Sequence, residues 1–82
     1  MPIRENLMSG TKTNVVIGAA SGNASALFEL SSTSQGALIT RMTTAQRQAI
    51  SAPAEGLLVY DTTLHKMTVY TTAWEIVTSA AE

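Results

Sequence analysis

Residues 43–46 read Thr-Thr-Ala-Gln, and this tetrapeptide constrains the fold more than any other stretch of the chain. It has the form of a capping box, in which the Thr43 hydroxyl accepts from the amide of Gln46 and the Gln46 side chain accepts from the amide of Thr43. A helix is therefore predicted over 44–50. Pro53 closes it, because proline lacks the amide a helix needs and disfavours helical geometry in the residue before it. On such a helix Gln46 and Ile50, and likewise Ala45 and Ala49, lie one turn apart. About two turns of helix do not hold together in water without packing. Whatever the chain folds into must supply a surface for it.

The flanking segments supply strands. Residues 13–17 are rich in β-branched side chains and end at Gly18. Residues 26–30 alternate, with Ala26, Phe28 and Leu30 on one face and Glu29 on the other. Residues 37–40 read as a brief apolar strand. Beyond the helix, Leu57, Leu58, Val59 and Tyr60 are apolar on both faces, the pattern of a strand covered on both sides. Residues 61–66 form a polar loop in which Asp61 and the threonines can cap backbone amides. Strands at 67–70 and 74–77 complete a meander. Between them Thr71 and Thr72 disfavour the positive φ of a two-residue primed turn, so a longer connection, or a turn of another type, is expected. The expected fold class is mainly β with one short α-helix, a small strand–helix–β-meander module. Residues 1–12 read as an extended N-terminal arm, 13–78 as the β-rich module and 79–82 as a loose tail.

Size then argues for partners. The 82 residues carry no cysteine, and their large apolar side chains are too few for one small domain to offset the entropy of ordering the chain. Oligomerisation is the expected remedy. The charged fraction is 13 % and the formal net charge −1, so no basic face is available for a phosphate backbone and no nucleic-acid partner is expected. No apolar run approaches the length of a membrane span or a signal peptide, so the chain is expected to start at its own Met1, soluble and without a membrane partner.

Candidate chemistry is sparse. His65 is the only histidine and has no second imidazole or thiol with which to share a metal, so it reads as an exposed turn residue. Asp61 reads as a turn-capping carboxylate and not as a general base. Glu29, Glu55, Asp61 and Glu75 are scattered singly, without a local glycosidase signature. The small-residue stretch 18–22 lacks the Lys-Ser/Thr of a phosphate loop and reads as a linker. Asn23-Ala24-Ser25 fits the glycosylation triplet, a pattern common by chance. Arg41 and Arg47 are expected to pair with Glu, with carbonyls or across a subunit interface. Trp74 is expected in a core or interface, carbohydrate stacking being the sharper alternative. No catalytic residue, cofactor or metal is expected.

Taken in order, Leu30-Ser31-Ser32-Thr33, Gly36, Ala37-Leu38-Ile39, Arg41-Met42-Thr43-Thr44-Ala45-Gln46-Arg47, Pro53, Gly56-Leu57-Leu58-Val59-Tyr60-Asp61-Thr62-Thr63, Tyr70 and Trp74 resemble a recurring module of phage tail fibres, head fibres and other fibrous surface proteins. Thr40 stands where that module often has proline, and Thr71-Thr72 where it often has Asn-Gly. The resemblance implies a homotrimer about a long axis and a non-enzymatic role in a virion. Because the chain ends just past a single module, a capsid decoration, cement or head-fibre protein on the outer surface is expected. The major capsid protein or another virion protein would be its partner. A short tail-fibre or receptor-binding component, touching a host glycan with loops near His65 or Thr71, is the alternative. Leu38, Ile39, Met42, Ile50, Leu58, Tyr60 and Trp74 are the candidate trimer interface or core. Ile3, Leu7 and Met8 are the candidate particle anchor.

Overall fold

A computed structural model describes the backbone of Ile3–Glu5 and residues 14–78 in full. Leu7, Met8 and the tail 79–82 lie outside the described residues. The elements are β1 (Ile3–Glu5), β2 (Val15–Ile17), β3 (Phe28–Leu30), β4 (Arg41–Met42), α1 (Thr44–Gln48), β5 (Leu58–Asp61), β6 (Lys66–Tyr70) and β7 (Trp74–Ile76). The fold is mainly β with one short helix. The chain divides into two compact units between Ala37 and Leu38, inside the stretch read as one module.

The first unit is a three-stranded sheet in the order β1-β2-β3. Ile3, expected in an extended arm, belongs to β1, which runs antiparallel to β2 with Ile3 opposite Ile17. β2 and β3 are parallel, with Val15 opposite Phe28 and Ile17 opposite Leu30. Parallel neighbours need a crossover, and residues 18–27 provide it. That crossover lies on the Val16 and Glu29 side of the sheet. A Cβ on Gly22 would come 2.5 Å from Val16 Cγ2, and Glu29 accepts from the Asn23 amide at 2.8 Å. The alternation expected of residues 26–30 is present, with an unexpected consequence. The crossover shelters Glu29, while Phe28 is 62 % and Leu30 47 % exposed. At the exit of β2, Gly18 has φ +93°, and a Cβ there would stand 2.0 Å from the Ser31 carbonyl oxygen. Only glycine fits.

The second unit is a four-stranded sheet in the order β4-β5-β6-β7, with β4 parallel to β5 and the remaining pairs antiparallel. The strand expected at 37–40 is displaced to Arg41–Met42, where the carbonyls of Thr40 and Met42 accept from the amides of Tyr60 and Thr62. Leu38, in the expected strand, is 80 % exposed. The apolar run there signalled burial, which a single chain does not provide. β5 also departs from expectation. Val59 and Asp61 are buried while Leu58 on the opposite face is 45 % exposed, so within one chain only one face of this strand is covered.

The helix starts where the capping box sets it. The Gln46 amide donates to Thr43 Oγ1 at 3.2 Å, and Gln46 Oε1 accepts from the Thr43 amide at 2.9 Å. It ends at Gln48, two residues before the predicted stop. The Ala49 amide is shared between the carbonyls of Ala45 and Gln46, and the Ile50 amide reaches Arg47, a tightening of the last turn. Ala52 then takes φ 47° ahead of Pro53. Thr43→Ala should cost about 1 kcal/mol per chain. Its thermal midpoint should fall while that of Ser34→Ala, in an exposed loop, stays in place; equal midpoints would mean the cap contributes nothing.

Candidate functional site

The face of α1 that meets the sheet carries Thr44 and Arg47, three positions apart and therefore neighbours on one side. Both converge on Asp61 at the end of β5. Thr44 Oγ1 donates to Asp61 Oδ2 at 2.6 Å and Arg47 Nε donates to the same oxygen at 2.9 Å. The amides of Thr63 and Leu64 donate to Oδ1, each at 2.9 Å. Asp61 is fully buried and Arg47 5 % exposed. Burial pushes the Asp61 carboxyl upward. The hydrogen bonds from Thr44, the Leu64 amide, Arg47 and the Thr63 amide more than offset this, and hold it at about 2 against an ordinary 3.8.

The ion pair continues into an aromatic stack. The Arg47 guanidinium carbon sits 5.1 Å from the Trp74 ring centroid. Trp74 in turn meets Tyr70 edge to face, with centroids 5.3 Å apart and planes at 73°. Beneath the helix, Thr68 is buried and donates its hydroxyl to the Val59 carbonyl at 2.7 Å. Among the described residues the only buried apolar side chains are Val16 and Val59. The layer between helix and sheet is thus fixed by polar groups. Every buried side-chain nitrogen and oxygen among the described residues has a partner.

This arrangement refines several expectations. Asp61 caps the loop after β5, the role its position in the sequence implies, and it also takes Arg47 as an ion-pair partner. Arg47 was expected to find a Glu, carbonyls or a subunit interface; it finds an aspartate of its own chain. His65 is exposed at the end of that loop with φ 58°. The connection between β6 and β7 takes three residues, with Tyr70 opposite Trp74 and the Thr71 amide donating to Ala73. Among the described residues no three His, Asp or Glu side chains gather, and no helix is long and apolar enough to cross a membrane.

The candidate interface residues fall into two groups. Met42 and Trp74 share the sheet face that α1 covers, since their register partners are Asp61 and Tyr70. Leu58 and Tyr60 lie on the opposite face. Ile39 and Ile50 are half-buried and Leu38 is exposed. None of the seven is buried within one chain. The first unit likewise leaves Phe28 and Leu30 in solvent, beside an open hollow lined by Ile17, Leu30, Ser31, Gln35 and Ala37.

Comparison with known proteins gives a family match. A family described as the phage tail like trimerisation region covers residues 16–81. No curated protein and no solved structure matches the chain. That family reaches across both compact units, from Val16 in β2 past the end of β7. The chain therefore belongs to the phage tail-like trimerisation region family.

Proposed function

We propose that this chain is a non-enzymatic structural protein of the phage virion, whose three copies complete one another's cores. The observation that carries this reading is the inverted burial. Two valines are buried, whereas Leu38, Leu27, Phe28, Val77, Leu30, Ile76 and Leu58 are between 45 % and 80 % exposed. Monomers seldom leave so much large apolar surface in water. A trimer would remove it, and the family's trimerising role agrees. Sedimentation equilibrium at micromolar concentration should return three times the 8.6 kDa chain mass. A folded monomer under those conditions would overturn the reading.

On the particle, the chain is proposed as a capsid decoration or head-fibre trimer attached through residues 1–12, with the major capsid protein or another virion protein as partner. The family's tail-like description favours a second reading, a tail-fibre or receptor-binding component. Glycan stacking on Trp74 is poorly supported, since Arg47 occupies one face of its ring. Antibody labelling of intact virions, viewed by electron microscopy, separates the two. Label on the head supports decoration; label confined to the tail supports the second reading and discards the first.

A further inference from the structure

Side chains alternate across a sheet, and register partners share a face. In the second unit, Val59, Asp61, Thr68, Tyr70 and Trp74 turn toward α1. The other face carries two rows. Arg41 stands beside Tyr60 and Met67, and Leu58 stands beside Val69 and Glu75. No described element of this unit covers that face. Its centre is apolar, with Leu58 45 % exposed and Tyr60, Met67 and Val69 half-buried. Its margins are oppositely charged: exposed Arg41 on edge strand β4 and exposed Glu75 on edge strand β7. Glu75 is held by Thr71 Oγ1, which donates to its Oε2 at 3.0 Å.

We propose that this face is the inner wall of the trimer's second unit, and that Arg41 of each copy meets Glu75 of the next at the three corners. The proposal rests on the trimer reading and adds the surface and the direction in which the ring closes. A cyclic trimer needs two different, complementary patches on each chain. Opposite charges on opposite edges of one apolar face meet that requirement. Arg41 and Glu75 stand one row apart, about 7 Å along the strands, a gap that an extended arginine side chain spans. The width of the wall agrees. Three strand spacings make a wall about 14 Å wide, and corner side chains widen it to about 20 Å. The axis of such a three-sided prism then lies about 6 Å from each wall, close to half the roughly 10 Å between packed sheets. Leu58, Tyr60, Met67 and Val69 are of the size that fills this space. A corner ion pair of this kind sets register and excludes wrong pairings more than it adds affinity.

Charge exchange tests the corner. Arg41→Glu and Glu75→Arg should each raise the concentration of half-dissociation at least about tenfold, because like charges then meet at all three corners. Combining the two substitutions in one chain should bring it back to within about threefold of the parent. Both side chains are exposed in the single chain, so far-UV circular dichroism should be unchanged in every variant. A parent chain that is not trimeric would sink the trimer reading itself. A trimeric parent whose single exchanges sediment normally, or whose double exchange sums the two losses, would overturn the corner contact and leave the trimer standing.

Discussion

Asp61→Ala is expected to lower the melting midpoint by on the order of 15 °C, the largest loss of any single side chain in the second unit. The reason is what the substitution leaves behind. Arg47, 5 % exposed, keeps its charge with no counter-ion, and the Thr44 hydroxyl and two loop amides lose their acceptor. An orphaned buried charge costs more than the ion pair contributes. Arg47→Met with Asp61→Leu should therefore melt higher than Asp61→Ala alone, although it removes both partners. If the single and double variants melt alike, the orphaned charge is not the cause.

The same carboxylate predicts a response to acid. Its folded-state pKa, about 2, lies below the ordinary 3.8, so the unfolded chain takes up the proton first as pH falls. The stability it contributes is complete above about 3.8 and drains away as pH drops through about 2. Asp61→Asn should flatten the melting midpoint across that window. An unaltered pH profile in the Asn variant would assign acid sensitivity to other carboxylates.

Local signals in the sequence carried the second unit well. Thr43 and Gln46 place the helix start because a capping box is written in contiguous residues. The same holds for the loop after β5, where Asp61 bonds amides two and three positions on. Thr71 and Thr72 disfavour a two-residue primed turn, leaving a longer connection or another turn type, and the connection takes three residues. What lay beyond reach was non-local. Arg47 and Asp61 pair only because β5 returns beneath the helix, and no spacing rule links them. The apolar runs at 37–39 and 57–60 signal burial, yet of their side chains the chain itself buries only Val59, and a sequence read alone does not say whether its own chain or a neighbour is to provide the cover. Phe28 and Leu30 show this most sharply. Their alternation with Glu29 is plain, but the crossover at 18–27 takes the glutamate's side and leaves the apolar side open.

That reversal makes Phe28→Asp a decisive substitution. In an isolated chain Phe28 is 62 % exposed, and a charge at so open a position would alter stability by no more than about 0.5 kcal/mol. In a trimer that covers the β2–β3 face, the same carboxylate would be buried three times over without a partner, a cost of several kcal/mol at each site. Association should weaken by at least about a hundredfold, enough to leave monomer at micromolar concentration. The crossover of the first unit packs on the opposite face, where Gly22 and Asn23 meet Val16 and Glu29, so the dissociated chain should keep its far-UV signature. Ser34→Asp adds the same charge to an exposed polar loop and should sediment like the parent. A Phe28→Asp chain that remains fully trimeric would show that this face stays in water in the assembly, and the trimer contacts would then lie elsewhere on the chain.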